Sequence, residues 1–331
     1  MKIIGWATAG LALGAVTSAW ANDSTATLGA GGLTLTQSAD VRMASEDLFV
    51  SRELIRVRYQ FINDASAPVT TEVAFPLPDA DLEMLSETDV GWATAQGDNV
   101  VDFRVTVDGK PVVPQLERKA VLRGKDVTAT LVQLGVPITP RAQDVMAFLP
   151  KLPAAAKQAL ARDKLIVIDP DSIHPLWTVK NTYHWRQTFP VGRPLSVEHT
   201  YKPIVGGSFL TASGLKYDPQ MLQKDWYKNF CIDSGTQAGV VARLNALRGR
   251  DGDNAMLMQW SIDYVLTTGR NWKDAIGSFR LTLDKGKPDN VFSFCMDGVK
   301  KTGPTTFVVE RRDFEPAQDL HVMIFEAPPQ N

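Results

Sequence analysis

The sequence predicts a mainly β protein built from two antiparallel β-sandwich-like domains, with a short helical insertion between them and a further helix in the second half. Three observations predict this architecture. Apolar and polar residues alternate with period two over most of the chain, an Asp-Gly pair marks a tight hairpin, and helical spacing is confined to two segments.

The first strands lie in the predicted N-terminal sandwich, residues 22–135. In the stretch LIRVRYQF, one face carries only apolar and aromatic side chains: Ile55, Val57, Tyr59 and Phe61. A second strand with Val73 and Phe75 ends at Pro76 and Pro78, because proline cannot donate to a sheet. The stretch FRVTVDGKPVV then predicts a hairpin, since Asp108-Gly109 accepts positive φ at a two-residue turn.

Helices are predicted in two places. Residues 136–165 form the helical insertion, where Thr139-Pro140 is typical of a helix start and Pro153 opens a second helix through AAAKQALARDKL. The C-terminal β-rich domain, residues 166–331, contains the other helical segment, around 219–247. Its strands include the long alternation over 256–266 and the last two strands, 306–311 and 320–326.

The first twenty-one residues are predicted to be a cleaved export signal. Lys2 precedes the apolar run 3–16, and Ala19-Trp20-Ala21 places small residues at the positions that a signal peptidase reads. The run is shorter than the roughly 20 residues that cross a bilayer. We therefore expect a mature start near Asn22, a periplasmic or secreted protein, and no transmembrane segment after cleavage.

Charge and cysteine content restrict the class of protein further. Removal of residues 1–21 takes away one charge, Lys2, and leaves 34 basic against 37 acidic residues, a balance that argues against a nucleic-acid partner. The two cysteines, Cys231 and Cys295, predict one disulfide in an exported chain. No cofactor motif and no Gly-x-Ser-x-Gly nucleophile elbow occurs in the sequence.

Metal binding has two weak candidates, both also typical of turns. The segment DPDSIH offers Asp169, Asp171 and His174, and the segment RDGDN offers two aspartates and an asparagine. Neither has the twelve-residue loop with a closing Glu that calcium binding requires, and Asp beside Pro, Gly or Asn favours turns. We therefore predict no metal site and no cofactor.

Four residues are candidates for ligand binding. Trp177 and Trp272 lie in loop-like sequence and could form an aromatic platform for sugars, although core packing is the commoner use of tryptophan. In NTYHWRQTFPVG, Tyr183 and Trp185 are predicted to face inward, which places His184 and Arg186 on the opposite, polar face. There a histidine is usually a solvated or hydrogen-bonded side chain.

Several phrases of the chain resemble an exported bacterial family known as domain of unknown function 4424. They cover nearly all of the mature chain in order: NDSTATLGAGGL, EDLFVS, VAFPLPD, TYHWRQTFPVGRPLSVEHTYKP, YVLTTGRNWKDAIGSFRLTLDKGKPDN and FSFCMDGVKK. The resemblance implies an exported, cysteine-paired, β-rich protein and carries no assigned reaction. Residues 54–78 are also loosely similar to the start of vault/inter-α-trypsin type domains, which are β-sandwiches.

Three functions are compatible with these patterns. The leading hypothesis is a non-catalytic binding or interaction protein of the cell envelope, with an envelope protein or glycan as its partner. The alternatives are a carbohydrate-active enzyme that uses two carboxylates, which spacing cannot reveal among 37 acidic residues, and a structural envelope component.

Overall fold

The computed structural model describes residues 22–29, 32–87 and 90–329, together with all side chains in these ranges except those of residues 226 and 253. The predicted export signal, residues 1–21, lies outside the described residues. The chain is mainly β. Its strands are β1 (Ser24–Gly29), β2 (Gly32–Thr36), β3 (Val41–Val50), β4 (Ile55–Asn63), β5 (Val69–Pro76), β6 (Ala80–Asp81), β7 (Arg104–Val107), β8 (Lys110–Val112), β9 (Gln115–Leu122), β10 (Lys125–Asp126), β11 (Ile166–Ile168), β12 (Ile173–Pro175), β13 (Thr178–Phe189), β14 (Leu195–Tyr201), β15 (Val205–Thr211), β16 (Met256–Tyr264), β17 (Ile276–Asp284), β18 (Val291–Phe294), β19 (Lys300–Lys301), β20 (Thr306–Phe314) and β21 (Leu320–Glu326).

In the described part of the chain, seven short or medium helices accompany these strands. They are α1 (Leu82–Ser86), α2 (Thr128–Gln133), α3 (Ala142–Phe148), α4 (Ala154–Arg162), α5 (Ala212–Tyr217), α6 (Asp225–Lys228) and α7 (Ser234–Asp251), with 3₁₀ turns at Leu149–Lys151, Met221–Gln223, Gly252–Asn254 and Thr267–Asn271. Among the described residues, no helix combines the length and the apolar character needed to cross a membrane.

The strands form three large sheets and one hairpin. The seven-stranded sheet has the order β10-β9-β13-β5-β1-β2, with β6 also paired to β13. The eight-stranded sheet runs β19-β20-β17-β3-β4-β14-β7-β8, the four-stranded sheet runs β15-β16-β21-β18, and β11 pairs with β12. Between the strands of the described residues, all pairings are antiparallel except that of β3 with β17, which is parallel.

Local sequence explains the elements that were predicted. Ile55, Val57, Tyr59 and Phe61 of β4 are buried while the residues between them are more exposed, as alternation predicts. Asp108 and Gly109 adopt φ values of 47° and 73° and join β7 to β8, so the hairpin prediction is confirmed. Pro153 precedes the first residue of α4, as expected for a helix start.

One hydrophobic core joins all three large sheets. It contains Val57 and Leu281 of the eight-stranded sheet, Val73 of the seven-stranded sheet, and Ile262 and Ile324 of the four-stranded sheet. The long eight-stranded sheet therefore packs one face against both of the other sheets. This arrangement gives the sandwich-like layers that period-two patterning predicts.

Two smaller cores lie on either side of the main one. The first contains Leu149 of the predicted helical insertion and Leu160 of α4, together with Trp177. The second lies between α7, through Leu244, and the four-stranded sheet, through Phe325. The helices thus cover sheet faces that would otherwise be exposed. The insertion also begins earlier than expected, since α2 lies before residue 136.

The predicted ranges 22–135 and 166–331 share two of the three large sheets, and the four-stranded sheet lies wholly within 166–331. Strand β5 pairs with β13, and β3 pairs with β17, so both ranges contribute strands to two shared sheets. Period-two patterning gives the face of each strand, but it contains no information about which strand is its neighbour.

The disulfide prediction is confirmed. Cys231 and Cys295 are bonded, with their Cα atoms 5.1 Å apart and a sequence separation of 64. The bond joins the segment after α6 to the segment after β18, and so ties the helical cover to the four-stranded sheet.

Replacing both cysteines, Cys231→Ala and Cys295→Ala, should lower the free energy of unfolding by up to about 4 kcal/mol, because the open chain regains the entropy of a 64-residue loop. Equilibrium denaturation in urea measures this loss. Reducing agent should produce the same change in the wild-type protein and none in the double variant. Equal stabilities for the two proteins under oxidising conditions would contradict the expectation.

Candidate functional site

The polar segment at residues 22–25 is buried, although its sequence is typical of an exposed terminus. Asn22, Asp23 and Ser24 are each 0% exposed, and Thr25 is 2% exposed. Asn22 and Asp23 precede β1, and Ser24 and Thr25 begin it. All four residues lie where the three large sheets meet. We call the surrounding set of buried groups the central polar cluster; its members are Asn22, Asp23, Glu46, Tyr59, His199, Tyr264 and Thr268.

Asn22 has the most contacts in the central polar cluster. Its backbone nitrogen donates to Thr268 Oγ1 at 2.6 Å, and the same hydroxyl donates to the Asn22 carbonyl oxygen at 2.7 Å. Its side-chain Nδ2 donates to Glu46 Oε2 at 3.0 Å, and its Oδ1 accepts from the Tyr59 hydroxyl. The residue therefore links the 3₁₀ turn Thr267–Asn271 to strands β3 and β4.

Glu46 lies on the inward face of β3 and is almost completely buried. The Tyr264 hydroxyl, which lies 3.1 Å from the Tyr59 hydroxyl, donates to Glu46 Oε1 at 3.4 Å. Burial is the main cause that raises the pKa of Glu46 to about 8, and the neighbouring Asp23 raises it further. Burial also raises the pKa of both tyrosines, which stay neutral at physiological pH.

Asp23 is held by two aromatic residues. Its carboxylate lies 3.1 Å from His199 Nε2, and its backbone carbonyl accepts from Trp272 Nε1 at 2.7 Å. Burial raises the pKa of Asp23, while the charge of His199 opposes that shift. His199 comes from β14 and Trp272 follows the 3₁₀ turn, so Asp23 connects elements that are distant in sequence.

An open groove adjoins this cluster. It has a volume of about 460 Å³ and lies between β2, the segment after β5, strands β9 and β13, and the 3₁₀ turn Thr267–Asn271. Thr268 belongs to both the groove and the central polar cluster. The volume falls within the range of about 300–1,000 Å³ that is usual for small-molecule sites.

The groove is lined by two lysine–carboxylate pairs and by apolar side chains. Lys180 pairs with Asp79 at 2.9 Å, and Lys119 pairs with Glu117 at 3.4 Å. Burial raises the pKa of Asp79, while its lysine opposes that shift. The apolar lining consists of Leu33, Leu35, Pro76 and Leu77.

Asn181 lies between the groove residues Lys180 and Thr182 of β13, so its side chain points to the opposite face of the strand. The residue is 2% exposed, and its Oδ1 accepts from Arg118 Nε at 2.9 Å. Its Nδ2 has no hydrogen-bond partner among the described residues. A buried donor without a partner costs about 1–3 kcal/mol, and the Nδ2 atom is not accessible to a ligand in the groove.

Residues 21–323 match the family described as "Domain of unknown function (DUF4424)". The chain belongs to the DUF4424 family. No curated protein shows significant sequence similarity to this chain.

One solved structure is distantly similar to this DUF4424 protein. It is that of a "putative nutrient binding protein" from Legionella pneumophila, with 15% sequence identity and a TM-score of 0.44. The similarity covers 92% of this chain and 70% of the other. Likeness at this level assigns no ligand or activity to the DUF4424 chain.

The two tryptophans predicted as an aromatic platform are both buried. Trp177 is 0% exposed within the core of the helical insertion, and Trp272 is 3% exposed in the main core, where its ring centroid lies 4.4 Å from that of Phe61. The expectation of a surface role is therefore wrong for both. Their loop-like sequence contexts concealed apolar surroundings, and they belong to different cores.

His184 and Arg186 lie on the same face of β13 but differ in exposure. His184 is buried, with Nδ1 2.6 Å from Glu72 Oε1, so it is hydrogen-bonded as expected but not solvated. Arg186 is exposed. Neither residue lines the groove, and a binding role for them stays a prediction.

The described residues contain no group of three or more His, Cys, Asp or Glu placed to hold a metal ion. The segment DPDSIH forms the turn between β11 and β12, in which the Asp169 nitrogen donates to the Ser172 carbonyl. The segment RDGDN forms the end of α7 and a 3₁₀ turn. Residues 169–172 of the first segment therefore form a turn, whereas the second segment ends a helix.

The central polar cluster was not predicted from the sequence, although the alternation of residues in β3 and β14 contained one signal for it. Glu46 alternates with Leu48 and Val50, and His199 alternates with Val197 and Tyr201, so each charged group stands on an apolar face. The β-bulge between Met43 and Ser45 shifts the alternation just before Glu46 and hides the pattern. The groove has no comparable signal, because its lining comes from five separate segments.

The hydrogen bond from Trp272 can be tested against a matched site. Trp272→Phe should lower the free energy of unfolding by about 1–3 kcal/mol more than Trp177→Phe does, because only Trp272 Nε1 has a partner among the described residues. Both changes remove a similar part of a buried ring. Urea denaturation of the two variants gives the comparison, and equal losses would show that the bond to Asp23 contributes nothing.

Proposed function

We propose that this DUF4424 protein is an exported, non-catalytic binding protein of the cell envelope, periplasmic or secreted, that takes a polar envelope glycan in the groove beside the central polar cluster. The observation that carries the proposal is an open groove of about 460 Å³ that combines two lysine–carboxylate pairs with apolar side chains. The export part of the proposal is supported by the sequence of residues 1–21 and by the disulfide.

The chemistry of the groove suits a ligand with many hydroxyl groups. A sugar hydroxyl both donates and accepts, so it can bridge the lysine and the carboxylate of one ion pair. The Lys180–Asp79 and Lys119–Glu117 pairs each offer such a donor and acceptor together. Leu33 and Leu77 supply apolar contact for the C–H face of a ring.

A carbohydrate-active enzyme fits the groove less well. Such an enzyme needs one carboxyl group kept protonated and another free to attack or activate water. Asp79 and Glu117 are both in the groove, but the carboxylate of each is already paired with a lysine. No tryptophan is among the described residues that line the groove.

A matched pair of lysine variants tests the binding site. Lys180→Met should weaken the binding of size-fractionated envelope glycan fragments by about tenfold, since it removes a charged hydrogen-bond donor worth about 1.5–3 kcal/mol from the groove. Lys273→Met is the control, because Lys273 has the same ion-pair distance of 2.9 Å, to Asp64, and lies outside the groove. Isothermal titration calorimetry measures both affinities.

Equal affinities in the two variants would remove the groove as the binding site. Failure of every fragment to bind the wild-type protein would overturn the glycan proposal and leave an envelope protein as the partner to test. Mass spectrometry of the recovered fragments completes the experiment, because cleaved fragments would show an enzyme.

A further inference from the structure

The backbone nitrogen of Asn22 belongs to a fully buried residue, in a cluster that contains two carboxylates. It contacts Thr268 Oγ1, while the side chain of the same residue contacts Glu46. The central polar cluster contains two carboxylates, Asp23 and Glu46, but only one group that can balance them, the imidazole of His199. Buried carboxylates are stable only when paired or neutralised.

We infer that hydrolysis of the Ala21–Asn22 peptide bond completes this cluster, because the new α-ammonium group of Asn22 becomes the buried counter-ion of Glu46. In the reaction, water adds across the bond, the carboxylate stays on Ala21 of the released segment, and the amino group of Asn22 takes up a proton. A signal peptidase is the class of enzyme that catalyses this step. The inference rests on the export part of the proposed function.

The protein before cleavage and the protein after cleavage differ in one charged group of the cluster, the α-ammonium group of Asn22. With an amide at Asn22, the cluster lacks a second positive charge, and Glu46 binds a proton with a pKa of about 8. An α-amino group has an ordinary pKa of about 7.7–8.0, and a nearby carboxylate favours its charged form. Cleavage therefore replaces a protonated Glu46 by an ion pair between Glu46 and the α-ammonium group of Asn22. This ion pair holds Asn22, shortly before β1, against β3.

The pH dependence of stability separates the two states. A carboxyl group whose pKa is raised in the folded protein contributes its stability below the unfolded value, near 4.5, and loses it as the pH rises toward 8. A protein that retains Ala21 should show this loss. A protein that begins at Asn22 should not, because the α-ammonium group keeps Glu46 ionised.

Other titratable groups face the same cluster and must be controlled. They are Asp23, Tyr59, His199, Tyr201 and Tyr264, and burial raises the pKa of the three tyrosines above the pH range of the test. All five are present in every protein to be compared, so the Glu46→Gln pair reports any change that the α-ammonium group makes in their titration. A steric effect of the additional alanine is independent of pH and cancels in the slope.

The experiment compares four proteins: one beginning at Asn22, one beginning at Ala21, and the Glu46→Gln variant of each. Urea denaturation between pH 5 and pH 8 gives the unfolding equilibrium constants. We expect the stability advantage of the Asn22 start over the Ala21 start to grow at least tenfold from pH 5 to pH 8, and Glu46→Gln to abolish that growth. Parallel pH profiles for the first two proteins would overturn the inference.

A second measurement needs no variant. In the folded protein beginning at Asn22, the α-amino group should resist reductive methylation under conditions that modify surface lysines, and it should react fully in urea. Rapid modification of the folded protein would overturn the inference. The intact mass of the exported protein tests the export proposal separately: a start at Asn22 supports it, whereas retention of residues 1–21 contradicts both proposals.

Discussion

The fold depends on the burial of a polar chain segment at the junction of three sheets. Asn22 and Asp23 reach Glu46 and His199 on the eight-stranded sheet, and the adjoining turn brings Thr268 and Trp272 onto the same two residues. Tyr264 adds the four-stranded sheet through its hydroxyl. Hydrogen bonds are directional, so a buried network of this kind specifies one arrangement of the sheets where hydrophobic contacts alone would allow several.

The same network positions the groove. The 3₁₀ turn Thr267–Asn271 lies between the buried segment and the open surface, with Thr268 on the inner side and Arg270 exposed in the groove. Strand β13 forms another wall, and its residues on either side of Asn181 belong to the rigid seven-stranded sheet. A ligand in the groove would meet side chains held by regular strands, which favours binding without a large loss of conformational entropy.

Strand faces and local turns were predictable because they depend on neighbours in sequence. The alternation in β4, the Asp108-Gly109 turn and the start of α4 after Pro153 are all decided by a few adjacent residues. The pairing of the disulfide was predictable because two cysteines can pair in only one way. Sheet partners and the groove were not predictable, since β3 meets β17 across more than two hundred residues. The burial of Asn22 was hidden for the same reason, because a polar segment is buried only where distant groups such as Thr268 and Glu46 provide its partners.

Native-state hydrogen exchange tests most directly whether the central polar cluster unites the three sheets. We expect the slowest amides of β3, β5 and β16 to open with one common free energy in the wild-type protein. We expect Tyr264→Phe to lower this opening free energy equally in all three strands. Different opening energies for the three strands, or a Tyr264→Phe effect limited to β16 and its neighbours, would contradict this expectation.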